Sequence, residues 1–489
     1  EQQTRIVVMS DTNNEEVRFS KKIFHLDLKG APPKIEFYSK LFPFLKTLGI
    51  NYVLIEYEDM FPYEDVLGQA SCPNAYTHEN IKLILSLAAK SDLEIIPLVQ
   101  VFGHLEFVLK HDVFKGLREI QDYPSVLCPS QNDSWKLITD LLEQMVKLHQ
   151  GSKYIHIGAD EVWYLGCCEV CSAKMTEQGI SREELYLTFI SNIAKHIKEK
   201  NKDLKVIIWD DMIRTMKFDV LKSHSLHTLV EPMVWHYMKS DKFDVIKEAM
   251  DRYLKLFPKL WIATAFKGAT GPTSLLTAAD YHMENHTRWV SLIKDFSTKT
   301  NVIQGIAFTG WQRYDHYARL CELLPVGIPS LVLCLQAIQD KSEGERHSEA
   351  SKMLGLNNQL VDLNPYLSPQ PQSGFAFPGS EVYEWVCRLS IVLKHCSNIL
   401  ESDIVSGWVT SWHHKCNRMS SRHLQAAIPM LLGGVQTLEN AWGVLKMEMS
   451  RIFYEDTVEE FYLEIVQDIH TKLADKVNKI NSHLNFKKK

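Results

Sequence analysis

Short apolar runs rich in β-branched residues recur along the first two thirds of the chain, each followed by sequence of helical period or helical length. They fall at 23–28, 52–57, 94–101, 154–158, 205–209, 229–235, 260–265 and 302–309. Continuous apolar runs of this length suit strands buried on both faces. Between them lie helix-like stretches at 81–89, 134–149, 182–200, 241–253 and 282–295. Strand–helix alternation implies a parallel sheet, and eight repeats are the number that closes a (β/α)8 TIM barrel. An open doubly wound sheet is the alternative, but no Gly-x-Gly-x-x-Gly follows the first strand.

Past residue 340 the pattern changes. Residues 340–346 are charged, and 364–379 are rich in Pro, Ser and Gly, as a linker would be. Helical periodicity then returns at 382–400, 423–449 and 458–484. The expected organisation is an N-terminal extension (1–21), a catalytic barrel (22–340), a linker (341–380) and a helical C-terminal domain (381–489). Lys487-Lys488-Lys489 reads as a solvated terminus.

Composition narrows the field of partners. The 489 residues are 45% hydrophobic and 23% charged, which argues against extended disorder. A net charge of −6 gives no general attraction to nucleic acid or anionic membrane. No apolar run reaches the ~18 residues of a membrane span. The first twenty residues are polar and of mixed sign, so no signal peptide is expected. Ten cysteines in a chain this long are not a disulfide framework. Cys168-x-x-Cys171 has the spacing of a zinc or redox pair, but no second pair at zinc-finger spacing follows. No metal and no cofactor are therefore expected. Asn132-Asp-Ser and Asn285-His-Thr are glycosylation sequons.

Chemistry in such a barrel gathers where the strands end. The fourth run leads straight into Asp160-Glu161. Folding does not require two acids there, and burying both is costly without compensation. The pair alone allows two readings: a catalytic couple at the barrel mouth, or a helix-capping Asp beside a solvated Glu. Other runs end in His25-Leu-Asp27-Leu-Lys29-Gly30, Glu56-Tyr-Glu58-Asp59, Gly103-His104 and Trp209-Asp210-Asp211. The last three give Trp235-His-Tyr237, Phe266-Lys267 and Gly310-Trp311-Gln-Arg313-Tyr314-Asp315. Collected at one rim, these residues describe a pocket with acids, a histidine and three tryptophans. Such a pocket suits sugar rings, whose C–H faces stack while their hydroxyls pair.

His156-Ile-Gly-Ala-Asp160-Glu161 resembles the His-x-Gly-x-Asp-Glu signature of glycoside hydrolase family 20, the β-N-acetylhexosaminidases. The segment from Leu54 to Glu64, the Gly103-His104 pair, Trp209, Trp235-His-Tyr237 and Gly310-Trp311 are similar to that family in the same order. The resemblance covers about residues 22–340 and is nearest to the hexosaminidase D branch, whose features Phe266–Pro272 and Trp311–His316 resemble. It implies an exo-acting enzyme that removes a terminal β-linked GalNAc or GlcNAc from a small molecule or glycan. In that family the 2-acetamido oxygen of the substrate is the nucleophile. By resemblance, Glu161 is the general acid/base, Asp160 orients the acetamide and Tyr237 donates to its oxygen. Trp209, Trp235 and Trp311 wall the acetamido pocket. Asp27, Lys29, Asp59, His104, Arg313 and Asp315 meet hydroxyls or position Glu161. The nearby negative Asp160 is expected to raise the proton affinity of Glu161.

One departure concerns Asp27-Leu-Lys29-Gly30, where larger relatives place Asp-x-x-Arg. Lys29 would be a point donor in place of a planar fork. The branch leans towards N-acetylgalactosaminides over N-acetylglucosaminides. Two rival readings belong to other classes: a silent sugar-binding barrel, and a metal-dependent hydrolase using His25, Asp27, His104 and His156. The branch resemblance favours the cytosol or nucleus, while the sequons and loop cysteines keep a secretory lumen open. The helical C-terminal region offers a surface for a homodimer.

Overall fold

The computed structural model describes residues 19–239, 243–296 and 301–486. Most of the expected N-terminal extension, Asp241 and Lys242 of the 241–253 helix, and the terminal lysines lie outside them. Among the described residues there are ten strands: β1 (Lys22–Asp27), β2 (Tyr52–Glu56), β3 (Glu94–Leu98), β4 (Arg118–Ile120), β5 (Tyr123–Leu127), β6 (Tyr154–His156), β7 (Lys205–Trp209), β8 (Val230–Trp235), β9 (Leu260–Lys267) and β10 (Ile303–Gly310). Eight close a barrel in the order β1-β10-β9-β8-β7-β6-β3-β2, all neighbours parallel. These are the eight expected runs, and the chain folds as a (β/α)8 barrel followed by helices.

The strand period of two divides each run between two cores. Tyr52 and Leu54, Ile96 and Leu98, and Ile207 and Trp209 fill the barrel interior. Their alternates Val53, Ile55, Ile95 and Ile208 belong to the shell packed against the helices. The crossover helices begin on local signals. Thr77 with Asn80 caps His78–Lys90, and Ser181 with Glu184 caps Arg182–Lys200, each as a reciprocal capping box.

Three features go beyond the sequence expectation. A hairpin of β4 and β5 interrupts the path from β3 to its helix. A helix at Ile35–Thr47 completes the first repeat despite Pro43 within it. The last repeat closes with Leu324–Ala337, every residue of which is buried. A helix apolar on all sides carries no amphipathic period to read.

Residues 341–380 contain a capped helix at Glu343–Met353, and Phe375 and Phe377 pack on Tyr383. Beyond them Ser380–Glu401, Ser421–Ile452 and Gln467–Phe486 pack against one another. This helical region is tied to the barrel beside β1. Lys34 N donates to Ile452 O (2.6 Å), and Thr457 Oγ1 donates to Gly30 O (2.9 Å). Among the described residues, no helix is long and apolar enough to cross a membrane.

Candidate active site

The C-terminal ends of the barrel strands surround a cavity of about 330 Å³. Lys29, His104, Asp160, Glu161, Trp209, Trp235, Tyr237, Trp311 and Arg313 line it, together with Glu56, Gln100, Tyr281 and Tyr314. Nine of the twelve residues expected at the site therefore share one pocket.

The two acids are delivered by an irregular turn after β6. Gly158, Ala159 and Glu161 have φ of 63°, 72° and 47°, and His104 opposite has φ of 50°. Left-handed backbone at non-glycine residues costs on the order of 1–3 kcal/mol each and gathers at functional sites. Neighbouring contacts hold this turn in place. Tyr186 donates to Ala159 O (2.8 Å), and Glu161 N donates to Asp211 Oδ2 (2.9 Å). The β3 loop approaches so closely that a Cβ on Gly103 would stand 2.1 Å from Asp160 O. Gly103→Ala should therefore push the two loops apart. Overpacking of this kind costs about 1–3 kcal/mol, so the melting temperature should fall and kcat with it. A thermal melt beside an activity assay checks both, and an unchanged pair of values would contradict the contact.

His104 joins the two carboxylates. Its Nε2 lies 3.4 Å from Asp160 Oδ2 and 3.3 Å from Glu161 Oε2. Burial works against charge on His104, but Asp160 and Glu161 outweigh it and hold the imidazole well above its ordinary range. The hydrogen bond from His104 in turn holds Glu161 below the usual carboxyl range, against the opposing push of burial. The expected rise of Glu161 beside Asp160 is thus reversed in the free protein, because a cation stands between them. Asp160 also accepts from Gln100 Nε2 (3.2 Å). Burial, then the charge of Asp160, pushes Asp211 up to about 7.

Aromatic rings form the rest of the wall. Trp235 stacks on Tyr237 at 5.1 Å, Trp209 tilts against Trp311 at 6.0 Å, and Tyr237 lies 6.4 Å from Trp311. Trp235 is set by Asp211, which accepts from its Nε1 (3.2 Å). Burial raises the Tyr237 phenol above its ordinary value, so the hydroxyl stays protonated and can donate.

Three expected residues do not line the cavity, because protein groups already engage them. Asp27 accepts from Gln312 N (2.8 Å) and pairs with Lys29 (3.1 Å). Asp59 is buried against Lys110 (3.1 Å), His316 (3.4 Å) and Cys72. Asp315 accepts from Tyr317 N and Ala318 N, capping its own turn. Lys29 does reach the pocket, but Asp27, Glu56 and Glu58 surround its Nζ at 3.1–3.4 Å. Arg313 pairs with Glu460 of the C-terminal region (2.6 Å) and donates to Ala318 O. The ligand set of a metal-dependent hydrolase does not assemble either. His25 bonds Glu56 (3.0 Å), His156 Nδ1 accepts from Gly158 N (3.0 Å), and His104 is held by the acid pair.

Glu56, Asp211 and Tyr314 stand in the sequence only as strand-end neighbours with no role assigned, and Gln100 and Tyr281 are not among the sequence candidates. Asp211 carried a legible signal, since it follows Trp209 at a strand end. Tyr281 sits on a helix and carried none.

Comparison with known proteins supplies the family. Residues 43–256 match the model of the glycosyl hydrolase family 20 catalytic domain. Hexosaminidase D of Homo sapiens is 37% identical over 462 residues, spanning 93% of this chain and 92% of that protein. The chain belongs to glycoside hydrolase family 20. Hexosaminidase D of Bos taurus is 44% identical over 320 residues, 65% of this chain and 91% of that one. A family 20 exo β-N-acetylglucosaminidase of Vibrio harveyi, solved with N-acetylglucosamine, superposes with a TM-score of 0.50. At 18% identity, covering 70% of this chain and 59% of that one, it speaks to the fold alone. As a family 20 member the chain is a glycoside hydrolase of the β-N-acetylhexosaminidase class.

Proposed function

We propose that this pocket hydrolyses terminal β-linked N-acetylhexosamine, with Glu161 as general acid/base, Asp160 and Tyr237 on the acetamide, and the tryptophans around the ring. The observation that carries the reading is His104 bridging two adjacent carboxylates beneath an aromatic wall. Ordinary retaining glycosidases set two carboxyls ~5 Å apart on opposite sides of the sugar, whereas a substrate that brings its own nucleophile needs only one acid.

In the first step the acetamido oxygen attacks the anomeric carbon as the glycosidic C–O bond breaks. Glu161 gives its proton to the departing oxygen. Asp160 accepts from the acetamide N–H and stabilises the positive charge that spreads over the new oxazolinium ring. Tyr237 donates to the acetamide oxygen and fixes its line of approach. In the second step water attacks the same carbon, Glu161 takes its proton, and the ring opens with net retention. Tethering the nucleophile is worth effective concentrations of roughly 10⁵ M or more.

Glu161 needs a proton, and in the free protein that proton rests on His104. The two sites share it, and the cluster titrates as a unit. Substrate that draws Asp160 onto the acetamide N–H weakens the claim of His104 on the proton and lets it pass to Glu161. Because His104 sits well above its ordinary range, the cluster keeps the proton to higher pH than a carboxyl alone would. His104→Gln leaves the proton to Glu161 itself. The alkaline limb of kcat/KM should therefore move to lower pH, and the rate should fall more at neutral than at acid pH. An unmoved limb would take His104 out of the proton path.

The activity itself is tested with paired chromogenic N-acetyl-β-galactosaminide and N-acetyl-β-glucosaminide. Their relative kcat/KM reports the epimer preference of a pocket where Lys29 stands for an arginine. Cleavage of the acetamido sugars, with none of the matching 2-hydroxy glycoside, is expected. No cleavage by folded protein would return the pocket to a sugar-binding role.

A further inference from the structure

Away from the pocket, three thiols and a carboxylate converge. Cys128 Sγ lies 3.4 Å from both Cys168 Sγ and Cys171 Sγ. Glu119 Oε2 lies 3.4 Å from Cys168 Sγ and 3.2 Å from Cys171 Sγ. All four ligand atoms fall within 4.8 Å of one another. Cys128, Cys171 and Glu119 are buried, and Cys168 is half-buried.

Glu119 provides an independent clue. The residue is only 2% exposed, and among the described residues no lysine, arginine or histidine forms a salt bridge with it. Its partners are the Cys168 amide (3.0 Å) and the two thiols. A buried carboxylate without a cation is costly, and a divalent ion between it and the thiols would remove the cost. The spacings suit one: zinc at ~2.3 Å from sulfur and ~2.0–2.2 Å from oxygen gives tetrahedral edges of roughly 3.5–3.8 Å. The four separations of 3.2–3.4 Å lie up to a few tenths of an ångström inside that figure, and the remaining two are within 4.8 Å. A soft, thiolate-rich, four-ligand set selects zinc over calcium or magnesium.

We propose that Glu119, Cys128, Cys168 and Cys171 form a structural zinc site. All four positions are filled by protein, so none is left for substrate. Its place in the fold gives it a task. Glu119 lies in β4 and Cys128 directly follows β5, so both belong to the β3 loop that carries Gly103 and His104. Cys168 caps the helix Glu169–Gln178 and Cys171 lies within it, at the end of the β6 loop that carries Asp160 and Glu161. The ion fastens together the two loops whose tips form the His104–Asp160–Glu161 cluster. The zinc absent from the sequence expectation was hidden because the second pair of ligands comes from a hairpin forty residues upstream of Cys168.

The full chain, purified without chelator, should carry one zinc per molecule by elemental analysis. Exchange with cobalt should give the near-ultraviolet thiolate-to-cobalt band of a tetrahedral site. Cys171→Ala should lose both signals, and chelation should lower the melting temperature of wild type but not of that variant. Should the variant fail to fold, the cobalt spectrum and a thiol titration of wild type with and without zinc decide alone. Reduced wild-type protein that holds no zinc and gives no cobalt band would overturn the proposal. So would a native disulfide among these three cysteines, found by mass spectrometry.

Discussion

Glu161→Gln should lower kcat on N-acetylhexosaminides by roughly 10²–10⁴-fold, the usual share of a positioned acid/base. The amide is nearly isosteric, and the Glu161 side chain is 39% exposed, with His104 its only ion-pair partner among the described residues. Folding should therefore be spared, and a thermal melt matching wild type would show it. The loss should depend on the leaving group. A nitrophenolate departs without a proton, so its first step suffers little, and the variant stalls where water must be deprotonated. Azide needs no such help and should restore turnover, giving a β-glycosyl azide. Wild-type activity in a folded Glu161→Gln protein would remove Glu161 from the mechanism.

Asp160→Asn should be nearly as damaging, by roughly 10²–10³-fold in kcat, the cost of removing one preorganised group aimed at developing charge. The physical origin differs, and so does the pattern. The positive charge on the oxazolinium ring appears whatever the aglycone, so the loss should be uniform across leaving groups, and azide should not repair it. The substitution also withdraws one of the two carboxylates that keep His104 charged. A fall that tracked leaving-group acidity would mean that Asp160 acts on proton transfer and not on the acetamide.

The barrel was legible because its strands are buried on both faces and so read as unbroken apolar runs. Elements without such contrast were not. The helix Leu324–Ala337 is apolar all round, and the 118–127 hairpin is too short to show a period. At the site, adjacency in sequence revealed Asp160 and Glu161, and strand-end position revealed the tryptophans. His104 was expected to meet a hydroxyl or position Glu161, but its bond to both acids was out of reach. His104 bonds the acid pair across a gap of more than fifty residues, and this contact reverses the expected direction for Glu161. The same limit applies to Asp27, Asp59 and Asp315. An acid at a strand end looks identical in sequence whether it faces a sugar or, as here, a lysine or a backbone amide.

The most direct measurement is kcat/KM for aryl glycosides whose acetamide carries zero, one, two or three fluorines. Each fluorine draws electrons from the carbonyl oxygen without changing the leaving group. A nucleophile supplied by the substrate predicts a steep, continuous fall along the series. A flat series would contradict it and place the nucleophile on the protein.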